Sequence, residues 1–163
     1  MDLPLTDIRQ LQSDLDERIM LIHNLTRPLT REKRILALMV EIAELANETR
    51  CFKFWSLKPA SSKEVILEEL SDTLHFIVSL GIDLNDTSLS LPFIPSPDSL
   101  TSLMIDWMNA CIRLKEDFNL DHYHQCLAYI GKVSLACGFD AEEVFAYYQL
   151  KNAKNHLRQD NNY

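Results

Sequence analysis

Glycine is scarce in this chain, with three residues in 163. So little of the residue that serves tight turns and bulges argues against a β-rich or loop-rich fold. No period-two hydrophobic alternation persists for more than a few residues, which leaves an all-α fold. Also missing is any C-x-x-C pair among the four cysteines, Cys51, Cys111, Cys126 and Cys137. The opening MDLPLTDIRQ has neither a basic n-region nor an apolar h-region, so no signal peptide is expected. The cysteines therefore read as free thiols in a reducing cytoplasm, with Cys111, Cys126 and Cys137 packing as small hydrophobes.

A basic excess is lacking too. Lys and Arg number 16 against 24 Asp and Glu, a net charge of −8. A general nucleic-acid binder needs a basic face and is excluded on this balance. A nucleotide substrate is not, because a few local cations and metal ions can handle phosphate. No apolar run is long enough to cross a bilayer, so no membrane partner is expected. There is no internal repeat and no low-complexity segment. What remains is a chain that is 47% hydrophobic, enough for one sizeable core, and residues 1–163 read as a single domain.

Helical periodicity divides that domain into about five or six helices forming a bundle. The first covers about 7–24, with Leu11, Leu15, Ile19 and Ile22 on one stripe. Pro28 marks a break, and Thr30 is the expected N-cap of a second helix reaching about Arg50. The connector from Cys51 to Ala60 is aromatic and basic. Ser61-x-x-Glu64 reads as a capping box opening a third helix that runs to about Leu80, where Gly81 stops it. Residues 84–98 form the longest loop. A fourth helix is expected over about 97–118, a fifth from an Asp121 cap to near Gly138, and a sixth from an Asp140-x-x-Glu143 box to about Arg158.

Two acidic steps carry the chemistry. Glu41-Ile-Ala-Glu44 lies in the second helix and Glu69-Leu-Ser-Asp72 in the third. Residues i and i+3 share a helical face, so each step aims two carboxylates one way, amid Leu38, Ile42 and Leu45 or Ile66, Leu70 and Phe76. Carboxylates on core-facing stripes repel one another and are poorly solvated unless a cation compensates. Hard divalent cations such as Mg²⁺ take oxygen ligands and bind phosphate at the same time. The pairing of these helices thus points to a phosphate-processing metal site. Glu68 is expected to face away from it, and Glu48, one turn past Glu44, is either a ligand or a surface charge.

Lys151, Asn155 and Arg158 fall at i, i+4 and i+7 and place an ammonium, an amide and a guanidinium on one face. They can embrace a polyphosphate, or they can simply complement the helix dipole. Lys53, Phe54 and Trp55 set an aromatic plane beside a cation. That suits a base and its phosphates, or a cover for the end of the bundle.

The segment from Glu41 to Leu80, EIAELANETRCFKFWSLKPASSKEVILEELSDTLHFIVSL, resembles the dimeric dUTPase family of the all-α NTP pyrophosphatase (MazG-like) superfamily. The ExxE and ExxD steps indicate the superfamily; the FKFW and LHF elements and the K-N-x-x-N-x-x-R-Q run from Lys151 to Gln159 point to dUTPases within it. Leu11-Gln12-x-x-Leu15-Asp16 is similar to the family's first helix. Many relatives follow the R-Q with a glycine-tyrosine tail, whereas here the chain reads Asp160-Asn161-Asn162-Tyr163.

The resemblance implies a Mg²⁺-dependent enzyme, with two or more ions per site and Mn²⁺ as a possible substitute, that cleaves dUTP to dUMP and pyrophosphate by water attack on the α-phosphorus. It implies Glu41, Glu44, Glu69 and Asp72 as metal ligands, with Glu41 also orienting the water. Gln12 would bond the uracil edge, supported by Asp16 or Asn47, and Trp55 would line the uracil pocket. His75 and Phe76 would sit by the deoxyribose, while Lys53, Lys151, Asn155 and Arg158 would hold phosphate. A cytoplasmic homodimer is the expected assembly.

Three rivals differ in class. A house-cleaning pyrophosphatase acting on another, modified nucleoside triphosphate would share the carboxylates and differ in the base pocket. A di-iron protein would use acidic-x-x-His steps, for which Asp72-x-x-His75 and Asp121-x-x-His124 are the nearest fits. A non-catalytic helical adaptor would leave the acids solvated.

Overall fold

The computed structural model describes residues 1–162 and is a six-helix bundle among them. Tyr163, the end of the tail noted above, lies outside the described residues. The helices are α1 (Leu5–Ile22), α2 (Arg27–Thr49), α3 (Lys63–Asp83), α4 (Leu100–Glu116), α5 (Leu120–Ala136) and α6 (Ala141–Asp160). Two short strands, β1 (Leu3–Pro4) and β2 (Ser90–Leu91), pair antiparallel, with Leu3 opposite Leu91. They tie the long loop after α3 to the start of α1.

The helix boundaries depart from the sequence expectations at five places, each for a physical reason. Pro28 does not break the chain but lies in the first turn of α2, where its missing N–H costs nothing. The N-cap is therefore Thr26, and Thr30 is one turn inside, its hydroxyl donating to the Thr26 carbonyl at 3.2 Å. Ser61 forms no capping box: its hydroxyl donates to the Glu48 carboxylate, and Ser62 takes the N-cap position. Gly81 does not stop α3, which continues to Asp83. Its role is close approach, since a Cβ there would overlap the buried Tyr123 phenol of α5. Asp121 lies in the first turn of α5, and the cap is Asn119, whose side chain accepts from His122 N at 2.9 Å. The Asp140–Glu143 box at α6 forms as read, with both reciprocal bonds present.

Helix α3 is the axis of the bundle and packs against α1, α2, α5 and α6. It is buried on most of its circumference, through Ile66, Leu67, Leu70, Leu74, Ile77, Val78 and Leu80. Against it α2 sets Leu38, Ile42 and Leu45, all fully buried. Each such leucine or isoleucine contributes roughly 1.5–3 kcal/mol by leaving water. Rising numbers on α2 meet falling numbers on α3, from Arg34 against Ser79 to Glu48 near Ser61. The pair is thus antiparallel, and that register brings Glu41 opposite Asp72. Cys111 and Cys126 are buried free thiols, their sulfurs 3.6 Å apart. No helix among the described residues is long and apolar enough to cross a membrane.

Candidate active site

The antiparallel register of α2 and α3 gathers the acids. Ligand oxygens of Glu41, Glu69 and Asp72 all lie within 4.8 Å of one another. Glu44 is exposed on α2, one turn from Glu41, and helps to raise the Glu41 carboxyl. Burial first, then the charges of Asp72 and Glu44, push Glu41 up to about 8. Burial, Asp72 and Glu44 likewise push Glu69 up to about 7, and burial raises Asp72 against the pull of Lys151.

One ammonium reaches the cluster from α6. Lys151 Nζ stands 2.7 Å from Asp72 Oδ2 and 2.8 Å from Glu68 Oε1, while Lys154 Nζ lies 2.9 Å from the same Glu68 oxygen. The Lys151 and Lys154 bonds hold Glu68 down to about 2. Glu68 thus does not face away from the site, as the helical wheel suggested; it anchors the lysine that touches Asp72. With the Lys151 and Arg158 charges both acting on Asp72, the Glu41 and Glu69 carboxyls are still raised, so the carboxylates are not balanced. An all-oxygen, strongly anionic donor set of this kind fits a hard divalent cation. The di-iron reading finds no histidine in the cluster: His75 bonds Gln12, and His124 bonds Asp86 at 2.8 Å.

A cleft of about 190 Å³ opens from the acids between α1, α2, α3 and α6. Glu41 and Asp72 form its acidic end, with Asn155 and Arg158 on the wall given by α6. Its other end is Gln12, Asp16, His75, Phe76, Ser79 and Arg34, with Leu15 and Ile19 as an apolar side. Gln12 is buried and bonds Asp16 Oδ1 at 2.8 Å and His75 Nδ1 at 2.6 Å. Behind them, Ser79 Oγ donates to Asp16 Oδ2 at 2.6 Å, and Arg27 approaches the same oxygen at 3.1 Å. Arg34 in turn bonds the Ser79 carbonyl and hydroxyl at 3.1 Å and pairs with Asp83 at 2.8 Å.

Eleven of the residues singled out from sequence are accordingly at or beside this cleft: Gln12, Asp16, Glu41, Glu44, Glu69, Asp72, His75, Phe76, Lys151, Asn155 and Arg158. Three are not brought to it within the single chain. Asn47 is exposed on α2, and Lys53 and Trp55 stand on the connector after α2, where Phe54 is 94% and Trp55 64% exposed. Phe54 and Trp55 pack edge to face on each other, centroids 5.1 Å apart, rather than on the bundle.

Sequence reasoning missed Arg34, Ser79 and Tyr148. Arg34 had a legible signal, since Arg27, Arg31 and Arg34 repeat the i, i+4, i+7 spacing used to pick out Lys151 to Arg158. Tyr148 carried none, because nothing in α6 alone says that its ring stacks on His75.

A family model described as dUTPase matches residues 4–163, nearly the whole chain. Compared one by one, no curated protein matches. The family match agrees with paired acids on α2 and α3, with Lys151, Asn155 and Arg158 on α6, and with a cleft between them on one helical bundle. The chain belongs to the dimeric, all-α dUTPase family and is a dUTP diphosphatase.

Proposed function

We propose that the cleft is the dUTP site, that Glu41, Glu69 and Asp72, with Glu44 beside them, hold Mg²⁺, and that Glu41 orients the attacking water. The observation that supports this is the triad of carboxylates within 4.8 Å, two of them raised toward neutrality by burial and mutual repulsion. Two or more ions suit the number of carboxylates, and Mn²⁺ could substitute. Bound there, the metal would neutralise phosphate charge and make water more acidic.

The chain's own groups do the rest. Asn155 and Arg158 hold phosphate oxygens along the α6 wall, and Lys151 joins them from its seat on Asp72 and Glu68. Glu41 takes a proton from the water as the water oxygen bonds the α-phosphorus; the bond to the α–β bridging oxygen breaks, and pyrophosphate leaves with dUMP. Gln12, supported by Asp16, contacts the base. Phe76 packs on the deoxyribose and leaves no room for a 2′-hydroxyl.

The protein acts as a single domain spanning residues 1–163 and as a homodimer in the cytoplasm. Exposed Leu29 and Leu36 of α2, which share an open groove with Ile112 of α4, support self-association. Lys53, Trp55 and Asn47 then contribute through the connector side of the assembled site.

The test is pyrophosphate release from dUTP, dCTP, dTTP, dATP, dGTP and UTP, with Mg²⁺ and with chelator. Metal-dependent turnover of dUTP that falls at least a hundredfold in Glu41→Gln and in Asp72→Asn, both folded, is expected. Near-normal turnover in both variants would sink the metal-site assignment.

A further inference from the structure

The direction of every hydrogen bond around Gln12 can be worked out from one end. Asp16 sits against the Arg27 guanidinium at 3.1 Å, and carboxylate oxygens only accept. The Gln12 atom 2.8 Å from Asp16 Oδ1 is therefore the amide nitrogen. The amide oxygen then faces the Tyr148 hydroxyl at 2.9 Å and His75 Nδ1 at 2.6 Å. Toward that oxygen each can only donate, the Tyr148 hydroxyl lying nearer to it than to the Ile8 carbonyl at 3.3 Å. His75 accordingly carries its proton on Nδ1 and has a bare lone pair on Nε2. Burial, with Lys151 nearby, holds this imidazole down to about 3, so the ring stays neutral in physiological buffer. Tyr148 also fixes the ring plane, stacked at 4.3 Å between centroids and 26°.

That leaves one conspicuous vacancy in the hydrogen bonding. His75 Nε2 is buried and has no hydrogen-bond partner among the described residues, although the ring lines the cleft. A buried acceptor left unsatisfied is destabilising. Gln12 has meanwhile used one N–H on Asp16, and both lone pairs of its oxygen are engaged. Toward a ligand it can donate through its second N–H but cannot accept.

We propose that His75 selects the base: its Nε2 accepts the N3–H of uracil while the second N–H of Gln12 donates to O4, and Tyr148 is the positioning residue that holds both. The inference rests on the cleft being the nucleotide site. Cytosine presents an amino group where uracil has O4 and a lone pair where it has N3–H, so both contacts turn repulsive. An interface fixed at Arg27 cannot flip its amide to accommodate the change, since the flip would set the Gln12 oxygen against Asp16.

The experiment measures kcat/KM with Mg²⁺ for dUTP, dCTP, 3-methyl-dUTP and 2′,3′-dideoxy-UTP, using wild type, His75→Phe, Tyr148→Phe and Phe76→Ala. Loss of one such bond should lower kcat/KM for dUTP about 10- to 100-fold in His75→Phe. Turnover of dCTP and 3-methyl-dUTP should change little, so selectivity collapses. Tyr148→Phe, which removes only the hydroxyl, should show the same pattern at several-fold, and it carries the prediction if His75→Phe fails to fold.

Equal losses on all four substrates would overturn the proposal in favour of a merely structural histidine. So would a loss that persists with 3-methyl-dUTP and vanishes with the dideoxy compound, because the acceptor would then serve the 3′-hydroxyl. Unchanged dUTP kinetics in His75→Phe and Phe76→Ala together would show that the nucleotide lies elsewhere, and that result fails the underlying site rather than the base-reading alone.

Discussion

Replacing Glu69 by glutamine should make the metal-free protein more stable while disabling it. Burial, Asp72 and Glu44 lift the Glu69 carboxyl from 4.5 to about 7. A carboxyl whose pKa is raised by folding keeps a proton that the unfolded chain has already lost, so between about pH 4.5 and 7 stability falls as pH rises. At about 1.4 kcal/mol per tenfold in the proton equilibrium, the full penalty above pH 7 is roughly 3 kcal/mol. Glu69 is partly exposed, and solvent screening reduces that to about 1.5 kcal/mol.

A domain of this size gains about 2–4 °C in Tm per kcal/mol. Glu69→Gln should therefore melt about 3–6 °C above wild type in chelator near pH 8. Differential scanning calorimetry reads this directly. The gap should shrink near pH 6, where wild type is largely protonated at this position. Added Mg²⁺ should raise wild type and leave the variant nearly unmoved. A variant equal to or below wild type in chelator near pH 8 would refute the view that these carboxylates strain the fold.

Three further outcomes are expected. The Asp83 side chain is 1% exposed and salt-bridged to Arg27, Arg31 and Arg34, whose side chain is 8% exposed; Asp83→Asn should lower the urea-derived stability by about 3 kcal/mol at neutral pH. Burial raises Asp83, but the Arg34, Arg27 and Arg31 contacts win and hold it below its ordinary value. Its contribution is thus present at neutral pH and lost as pH falls below about 4, a loss that urea midpoints should show in wild type and not in Asp83→Asn. Gly81→Ala should cost about 1–3 kcal/mol by overpacking against Tyr123, and a melting curve like that of wild type would remove the close approach as the reason for glycine. Phe76→Ala should narrow the preference for dUTP over UTP at least tenfold in kcat/KM, and unchanged selectivity would take Phe76 out of sugar discrimination.

The all-α class and the number and order of the helices were legible because they rest on periodicity, which local sequence carries. The acidic steps were legible for the same reason, since i and i+3 place Glu69 and Asp72 on one face in any helix. The boundaries were not, because caps compete locally. Thr26 outranks Thr30 once Pro28 is accepted inside the first turn, and Asn119 precedes Asp121 by two residues. Gly81 misled because its meaning lies in α5: without Tyr123 in place, a glycine late in a helix reads as a stop. Glu68 misled in the same way, since its partners Lys151 and Lys154 come from the far end of the chain. Sequence spacing describes one helix at a time, and those assignments depend on two.

Helix α3 also works as a ruler. Glu69, Asp72, His75, Phe76 and Ser79 follow one another along it, and at 1.5 Å per residue the first and last stand about 15 Å apart on the axis. The clustered carboxylates are at one end of that scale and the polar groups of the cleft's far end are at the other. Substitutions at the far end can therefore retune which ligand is accepted without disturbing the carboxylates. A one-residue insertion or deletion between Asp72 and His75 is another matter: it turns the two ends about 100° apart, so the carboxylates and the far polar groups no longer face one cleft. On this scaffold, changes of substrate should come by replacement of side chains, and the length of α3 from Glu69 to Ser79 should stay fixed.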